Sequence, residues 1–109
     1  MFGVVSNASA YASLAIDSNQ GSRWGYSYDY DNAYDADQRA LNECGQGCRV
    51  VKNFATGCGA YAADQSYGGT AYGWGTASSE HQAKNIALKY CRQYGGTECI
   101  VRVWACNSY

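Results

Sequence analysis

A chain of 109 residues has room for one domain and buries roughly two-thirds of the surface its unfolded form exposes. Its formal charge of −1, with 8 Lys and Arg spread along the sequence, supplies no basic stripe to displace counterions from a phosphate backbone, which excludes nucleic acid as an expected partner. No apolar run approaches the roughly 18 to 20 residues of a bilayer-spanning helix, so no membrane partner is expected either.

The 6 cysteines, with 13 glycines and 11 tyrosines, suit a small domain stapled by disulfides in an oxidising compartment, the periplasm or the outside of the cell. Metal binding is the rival explanation. The spacings Cys44-x3-Cys48 and Cys91-x7-Cys99, with Cys58 and Cys106 isolated, miss the paired pattern of zinc sites. The first residues lack the basic and long apolar regions of a signal peptide, so for an exported protein the signal is expected to have been removed and Met1 added.

Residues 1–9 are small and polar without periodicity and are expected to be a flexible N-terminal segment, with a single duplicated domain over 10–109. Ala10, Ala12, Leu14 and Ile16 alternate with Tyr11, Ser13 and Ala15, the period of a strand, and Asp17 to Ser22 is turn chemistry. The returning arm places Trp24, Tyr26, Tyr28 and Tyr30 on one face and Gly25, Ser27 and Asp29 on the other. Asp31 or Asn32 then caps a helix from Ala33 to Cys44, with Asp35 and Asp37 near its positive end and a stripe of Ala33, Ala36, Ala40, Leu41 and Cys44. Gly45-Gln46-Gly47 stops it, and Cys48 to Phe54 reads as a third strand.

The order then repeats. Cys58 to Asp64 is a strand, Gln65 to Gly69 a turn, and Thr70 to Thr76 its partner. Ser79-x-x-Gln82 is a capping box for a second helix whose expected buried stripe is Ala83, Ile86, Ala87, Tyr90 and Cys91, and Cys99 to Cys106 is the last strand. The fold class is therefore α+β: two pseudo-symmetric strand-strand-helix-strand repeats, about 10–57 and 58–109, forming one antiparallel-sheet domain with two helices. Superposing the repeats aligns Gly25 with Gly73, Ala36 with Ala83, Ala40 with Ala87, Leu41 with Leu88, Cys44 with Cys91 and Cys48 with Cys99. Six cysteines allow fifteen pairings, and symmetry selects Cys44 with Cys48 and Cys91 with Cys99, leaving Cys58 for Cys106.

These motifs together resemble the bacterial domain-of-unknown-function family 4189. The resemblance is carried by Ala12 to Ile16, Trp24-Gly25-Tyr26, Ala33 to Cys44 and Cys48-Arg49-Val50-Val51. It recurs in Cys58-Gly59-Ala60-Tyr61-Ala62, Tyr72-Gly73-Trp74-Gly75, Ala83 to Cys91 and Cys99 to Trp104, and covers about residues 10 to 107. Lys52-Asn53 departs from it, since a hydrophobic pair is usual there. The resemblance implies bacterial export and a duplicated fold similar to an internal dimer of the dodecin unit. Because some relatives are secreted effectors or neighbours of secreted toxins, it also implies protein binding, in an inhibitor, immunity or effector role. It implies no catalytic mechanism.

The residues themselves present no enzyme. The single His81 falls in the first turn of the second helix with Tyr34 as its counterpart, and no serine sits in a nucleophile elbow. Asp29, Asp31, Asp35 and Asp37 lack the loop glycine and terminal glutamate of an EF-hand and read as helix-start carboxylates. No cofactor or metal is implied. The candidate partner-binding residues are Trp24, Tyr26, Tyr28, Tyr72 and Trp74. The small helix residues need large neighbours, which favours these rings beneath the helices as core. Yet 3 tryptophans, 11 tyrosines and 2 phenylalanines exceed what one small core can hide, and exposed Tyr and Trp are typical interface anchors. The expected function is non-enzymatic recognition of another protein. The alternative is a flavin-like or carbohydrate ligand on the aromatic face, with a homo-oligomer also open.

Overall fold

Alternation of small and aromatic residues produces strands and the two capped Ala-rich stretches produce helices, in the order the sequence implies. The structure, a computed structural model, describes residues 10–108; the segment expected to be flexible, 1–9, lies outside the described residues. The elements are β1 (Tyr11–Ile16), β2 (Trp24–Tyr30), α1 (Ala33–Cys44), β3 (Arg49–Phe54), β4 (Cys58–Asp64), β5 (Tyr72–Ala77), α2 (Glu80–Gln93) and β6 (Cys99–Cys106). Each repeat builds its own antiparallel three-stranded sheet, β2-β1-β3 and β5-β4-β6.

The two sheets face each other. Ala12, Leu14, Ile16 and Phe54 of the first repeat meet Tyr61, Ala63, Val103 and Ala105 of the second in one buried cluster, with α1 and α2 on the outer faces. Burying side chains of the Leu, Ile, Phe and Val class contributes roughly 1.5–3 kcal/mol each, so this inter-sheet layer holds the repeats together. Both third strands bulge at the same place. Val51 is skipped between the pairs Leu14↔Lys52 and Ala15↔Val50, and Arg102 between Tyr61↔Val103 and Ala62↔Val101. The extra residue of β6 is used across the interface, where Arg102 Nε donates to the Gly21 carbonyl at 3.0 Å.

The face each helix covers differs from the expectation. Ala36, Ala40 and Cys44 of α1, and Ala83, Ala87 and Cys91 of α2, are buried against the glycine side of the hairpins rather than against the rings. A Cβ on Gly25 would collide with the Ala40 carbonyl and stand 2.6 Å from the Cys44 amide; one on Gly73 would collide with the equivalent Ala87 carbonyl and Cys91 amide. Small residues thus pack on small residues at close backbone approach, and the aromatic side of β2 and β5 is left outside. Where α2 meets Gly75, α1 meets Ser27, whose hydroxyl donates to the Ala36 carbonyl at 2.7 Å and accepts from the Ser13 amide at 3.1 Å.

Tyr30 also leaves the expected stripe. Asp29 adopts φ 62° and inserts an extra residue between the pairs Ser13↔Ser27 and Tyr11↔Tyr30, which turns Tyr30 to the side of α1 and Arg39. In α2 the expected stripe is narrower than anticipated: Tyr90 is 40 % exposed and Ile86 half-buried. The helix also runs two residues past Cys91, to Gln93.

The disulfides are Cys44–Cys48, Cys91–Cys99 and Cys58–Cys106, the symmetric set. The first two tie each helix end to the following strand. The third joins directly opposed residues of β4 and β6, with Cα atoms 3.9 Å apart.

Two polar clasps lock the repeats. In the first, the turns after β1 and β4 interlock: Gln20 Nε2 donates to the carbonyls of Asp64, Ser66 and Gly69, and Gln65 Nε2 donates to the Gln20 carbonyl. In the second, Asn107 donates from its amide to the Gly57 carbonyl at 2.8 Å and accepts the Asp29 amide on Oδ1 at 2.9 Å. Every buried side-chain polar atom among the described residues has a partner.

Candidate functional site

The rings of β2 form a ladder because residues two apart on a strand share a face. Trp24 and Tyr26 stack with centroids 6.3 Å apart, and Tyr26 and Tyr28 do the same. Trp24 is 45 %, Tyr26 37 % and Tyr28 51 % exposed. The ladder borders β6 across a groove of about 540 Å³ whose far wall is Val101 to Cys106. Trp104 stands in that wall, half-exposed, with Lys84 Nζ 4.4 Å from its ring centroid.

The second aromatic surface lies along β5. Tyr72 stacks on the buried Tyr61 with centroids 5.6 Å apart, and Lys52 Nζ sits 4.2 Å from the Trp74 ring centroid. This gives Lys52, the departure from the expected hydrophobic pair, a definite place. Thr70 to Thr76 line a groove of about 730 Å³ with Ile86, Tyr90 and Tyr94 of α2, the last two rings 6.5 Å apart. All five aromatic candidates are therefore outside the core. They do not form one patch, since Trp24, Tyr26 and Tyr28 line one groove and Tyr72 and Trp74 the other. Trp104, Tyr90 and Tyr94 were missed. Trp104 lies in the expected last strand and Tyr90 in the expected buried stripe, and the i, i+4, i+8 spacing of Ile86, Tyr90 and Tyr94 is the sequence signal for the exposed flank.

The acidic residues are dispersed among separate structural tasks. Asn32 is the cap of α1 and accepts the Asp35 amide at 2.8 Å. Asp37 accepts from Ser13 and from Asn53 of β3, so it turns toward the sheet rather than serving the helix end. Asp29 accepts the Ser108 amide at 2.7 Å. His81 is exposed, and its Nε2 lies 3.1 Å from the Asn85 amide nitrogen.

Two buried carboxylates, Asp17 and Asp64, hold equivalent positions where β1 and β4 end. Burial pushes the Asp17 carboxyl up, but hydrogen bonds from Ser22 and the Asn19 and Arg23 amides, with the Arg23 charge, outweigh it and hold its pKa below the ordinary value. Asp64 is lowered by the Ser66 amide and hydroxyl, against burial and aided by the Glu98 and Thr97 amides. Both are turn organisers. Burial pushes the Tyr61 hydroxyl up to about 12.

Residues 11–106, nearly the whole described chain, match the family described as a domain of unknown function, DUF4189. The chain belongs to the DUF4189 family. Relatives of this DUF4189 domain include protein Rv1269c of Mycobacterium tuberculosis strain H37Rv and protein Mb1300c of Mycobacterium bovis. Each is 36 % identical over 101 residues, covering 92 % of this chain and 72 % of the relative. No solved structure matches the domain.

Proposed function

We propose that this DUF4189 domain is a non-enzymatic recognition module of the periplasm or extracellular space that grips another protein through the ladder Trp24–Tyr26–Tyr28 and the neighbouring Trp104. The observation that carries the reading is the stack of three rings, each more than a third exposed, beside a fourth exposed ring across a groove. Tyr and Trp offer large contact area at small entropic cost and dominate interface hot spots, where truncation to Ala costs roughly 2 kcal/mol or more, about thirtyfold in affinity. Three disulfides in one small domain support an oxidising compartment.

The β5 groove favours a second reading, a small flat ligand, because its volume is that of a small-molecule site. Its lining, however, includes no charged side chain to orient such a ligand.

The ladder reading is tested by placing a photo-crosslinking aromatic residue at Tyr26 or, as control, at Tyr67, a fully exposed and isolated ring. The protein is then irradiated in the secreted fraction of the bacterium that makes it. A discrete protein adduct from position 26, absent from position 67 and lost on Trp104→Ala, is expected. Equal labelling from both positions, or none, contradicts the ladder as the contact.

A further inference from the structure

We infer that β5 is the seam through which two copies of this chain join, antiparallel, about a two-fold axis at Trp74. Among the described residues the strand is an edge, hydrogen-bonded only to β4. The Asp64 amide donates to the Ala71 carbonyl at 2.9 Å, and β4 and β5 pair without a register shift from Cys58↔Ala77 to Ala63↔Tyr72. That parity directs the main chain of residues 71, 73, 75 and 77 to β4 and that of Tyr72, Trp74 and Thr76 outward. Those outward amides and carbonyls have no protein partner among the described residues.

An open edge is a template for another strand, and proteins blunt edges with charges, bulges or cover. Among the described residues, the other three sheet edges are blunted. β2 is interrupted by Asp29 in the left-handed region with Asp31 beyond it, β3 by its bulge at Val51 between Arg49 and Lys52, and β6 by its bulge at Arg102 and the Asn107 clasp. From Thr70 to Ser79 there is neither a charge nor a bulge.

That neutrality points to a second copy as the occupant. Antiparallel self-pairing about Trp74 sets Trp74 against Trp74 of the other copy and each Tyr72 against the other's Thr76, so no like charges oppose one another within the strands and large residues face small ones at the flanks. The facing pairs exchange about six main-chain hydrogen bonds. An aromatic pair directly across a sheet is favourable. Lys52, whose Nζ stands 4.2 Å from the Trp74 ring centroid, brings one positive charge per copy toward the axis, and that repulsion is screened by salt.

The flanking helix fits the same arrangement. The two-fold axis makes one sheet in the order β6-β4-β5-β5-β4-β6 with both α2 helices on one face, and the stripe Ile86, Tyr90, Tyr94 of each copy faces the seam. The corresponding face of α1 carries the exposed ion pair Arg39–Glu43 at 2.7 Å in place of Ile86 and Tyr90. Within a duplicated scaffold, only the second repeat has an apolar flank beside an unguarded edge.

The test is sedimentation equilibrium of the oxidised chain over a wide concentration range, with Thr76→Pro and Thr76→Lys. Proline fits at 76 because that amide points away from β4, and edge strands tolerate it there. The wild type is expected to rise from the monomer mass toward twice that value, whereas both variants stay monomeric with an unchanged far-ultraviolet spectrum; Thr76→Lys carries the test if the proline variant does not fold. A wild type monomeric at every concentration overturns the inference, as does dimerisation of both variants at wild-type strength. A monomer whose tryptophan fluorescence is quenched by flavin mononucleotide overturns it in favour of a ligand in the groove.

Discussion

Gly73→Ala probes the packing that puts the aromatic rings outside. The added methyl would meet the Ala87 carbonyl and the Cys91 amide, both backbone, and stand 2.8 Å from the Tyr90 Cβ. Backbone atoms inside a helix cannot rotate away, so α2 must lift from β5. Overpacking costs about 1–3 kcal/mol, and two backbone collisions at a site with no free volume place this change at the upper end, about 3 kcal/mol. Against a total stability on the order of 5–15 kcal/mol that is a large fraction. For a domain of this size the midpoint falls by roughly 4–8 °C per kcal/mol, which gives a drop of at least about 12 °C. The assay is thermal unfolding by circular dichroism with disulfides intact. Gly95→Ala is the comparison, because Gly95 has φ 101° and nothing within 4 Å of the added methyl, so that change carries only backbone strain of about 1–2 kcal/mol. Gly25→Ala should behave as Gly73→Ala does. If Gly73→Ala melts within about 3 °C of the wild type, less than 1 kcal/mol, α2 is not seated on the glycine face and the reasoning fails.

Removing Cys58–Cys106, which spans 48 residues, as the double serine variant should cost about 4 kcal/mol, against about 2 kcal/mol for Cys44–Cys48, which spans 4; denaturant midpoints of the two variants check the order. Folding lowers the pKa of Asp17 and Asp64, so the stability they contribute is complete above their ordinary value of 3.8 and lost as pH falls through their lower folded values. Urea titrations between pH 5 and pH 2 should therefore show a falling stability whose slope is reduced in Asp17→Asn. Tyr61 has the opposite sense: its pKa rises from 10.0 to about 12, the neutral form is favoured by folding, and the stability it contributes is complete below pH 10 and lost between pH 10 and 12. Absorbance at 295 nm should show a tyrosine ionising late in that window, and Tyr61→Phe should remove it.

The repeat was legible because local chemistry carries it. Ser79 and Gln82 mark the start of α2, and Asn32 that of α1, through main-chain capping that needs no tertiary context. Paired motifs such as Gly25 with Gly73 and Cys44 with Cys91 fixed the disulfides. Which side of β2 and β5 faces the helices is not legible, because alternation shows that rings and glycines lie on opposite faces without saying which face is covered. The small helix residues need no large neighbours here, because the helix backbone itself comes down onto Gly25 and Gly73. The turn of Tyr30 depends on one left-handed residue, Asp29, whose conformation is held by Asn107 and Ser108, 78 and 79 residues away. The division of the aromatics into two grooves likewise arises from how the sheets face each other, and no spacing within one repeat encodes it.

Recognition through the hairpins requires their rings to stand outside the core. In the folded, oxidised protein Trp24, Trp74 and Trp104 are each at least 40 % exposed. Treatment with a tryptophan-specific oxidant at native pH, followed by peptide mass mapping, reads this directly. At concentrations low enough to keep the chain monomeric, all three should react at comparable rates without unfolding, with Trp74 and Trp104 slowed modestly by the lysines above them. If Trp24 and Trp74 react only after denaturation, the helices cover the aromatic face and the recognition surfaces described here do not exist.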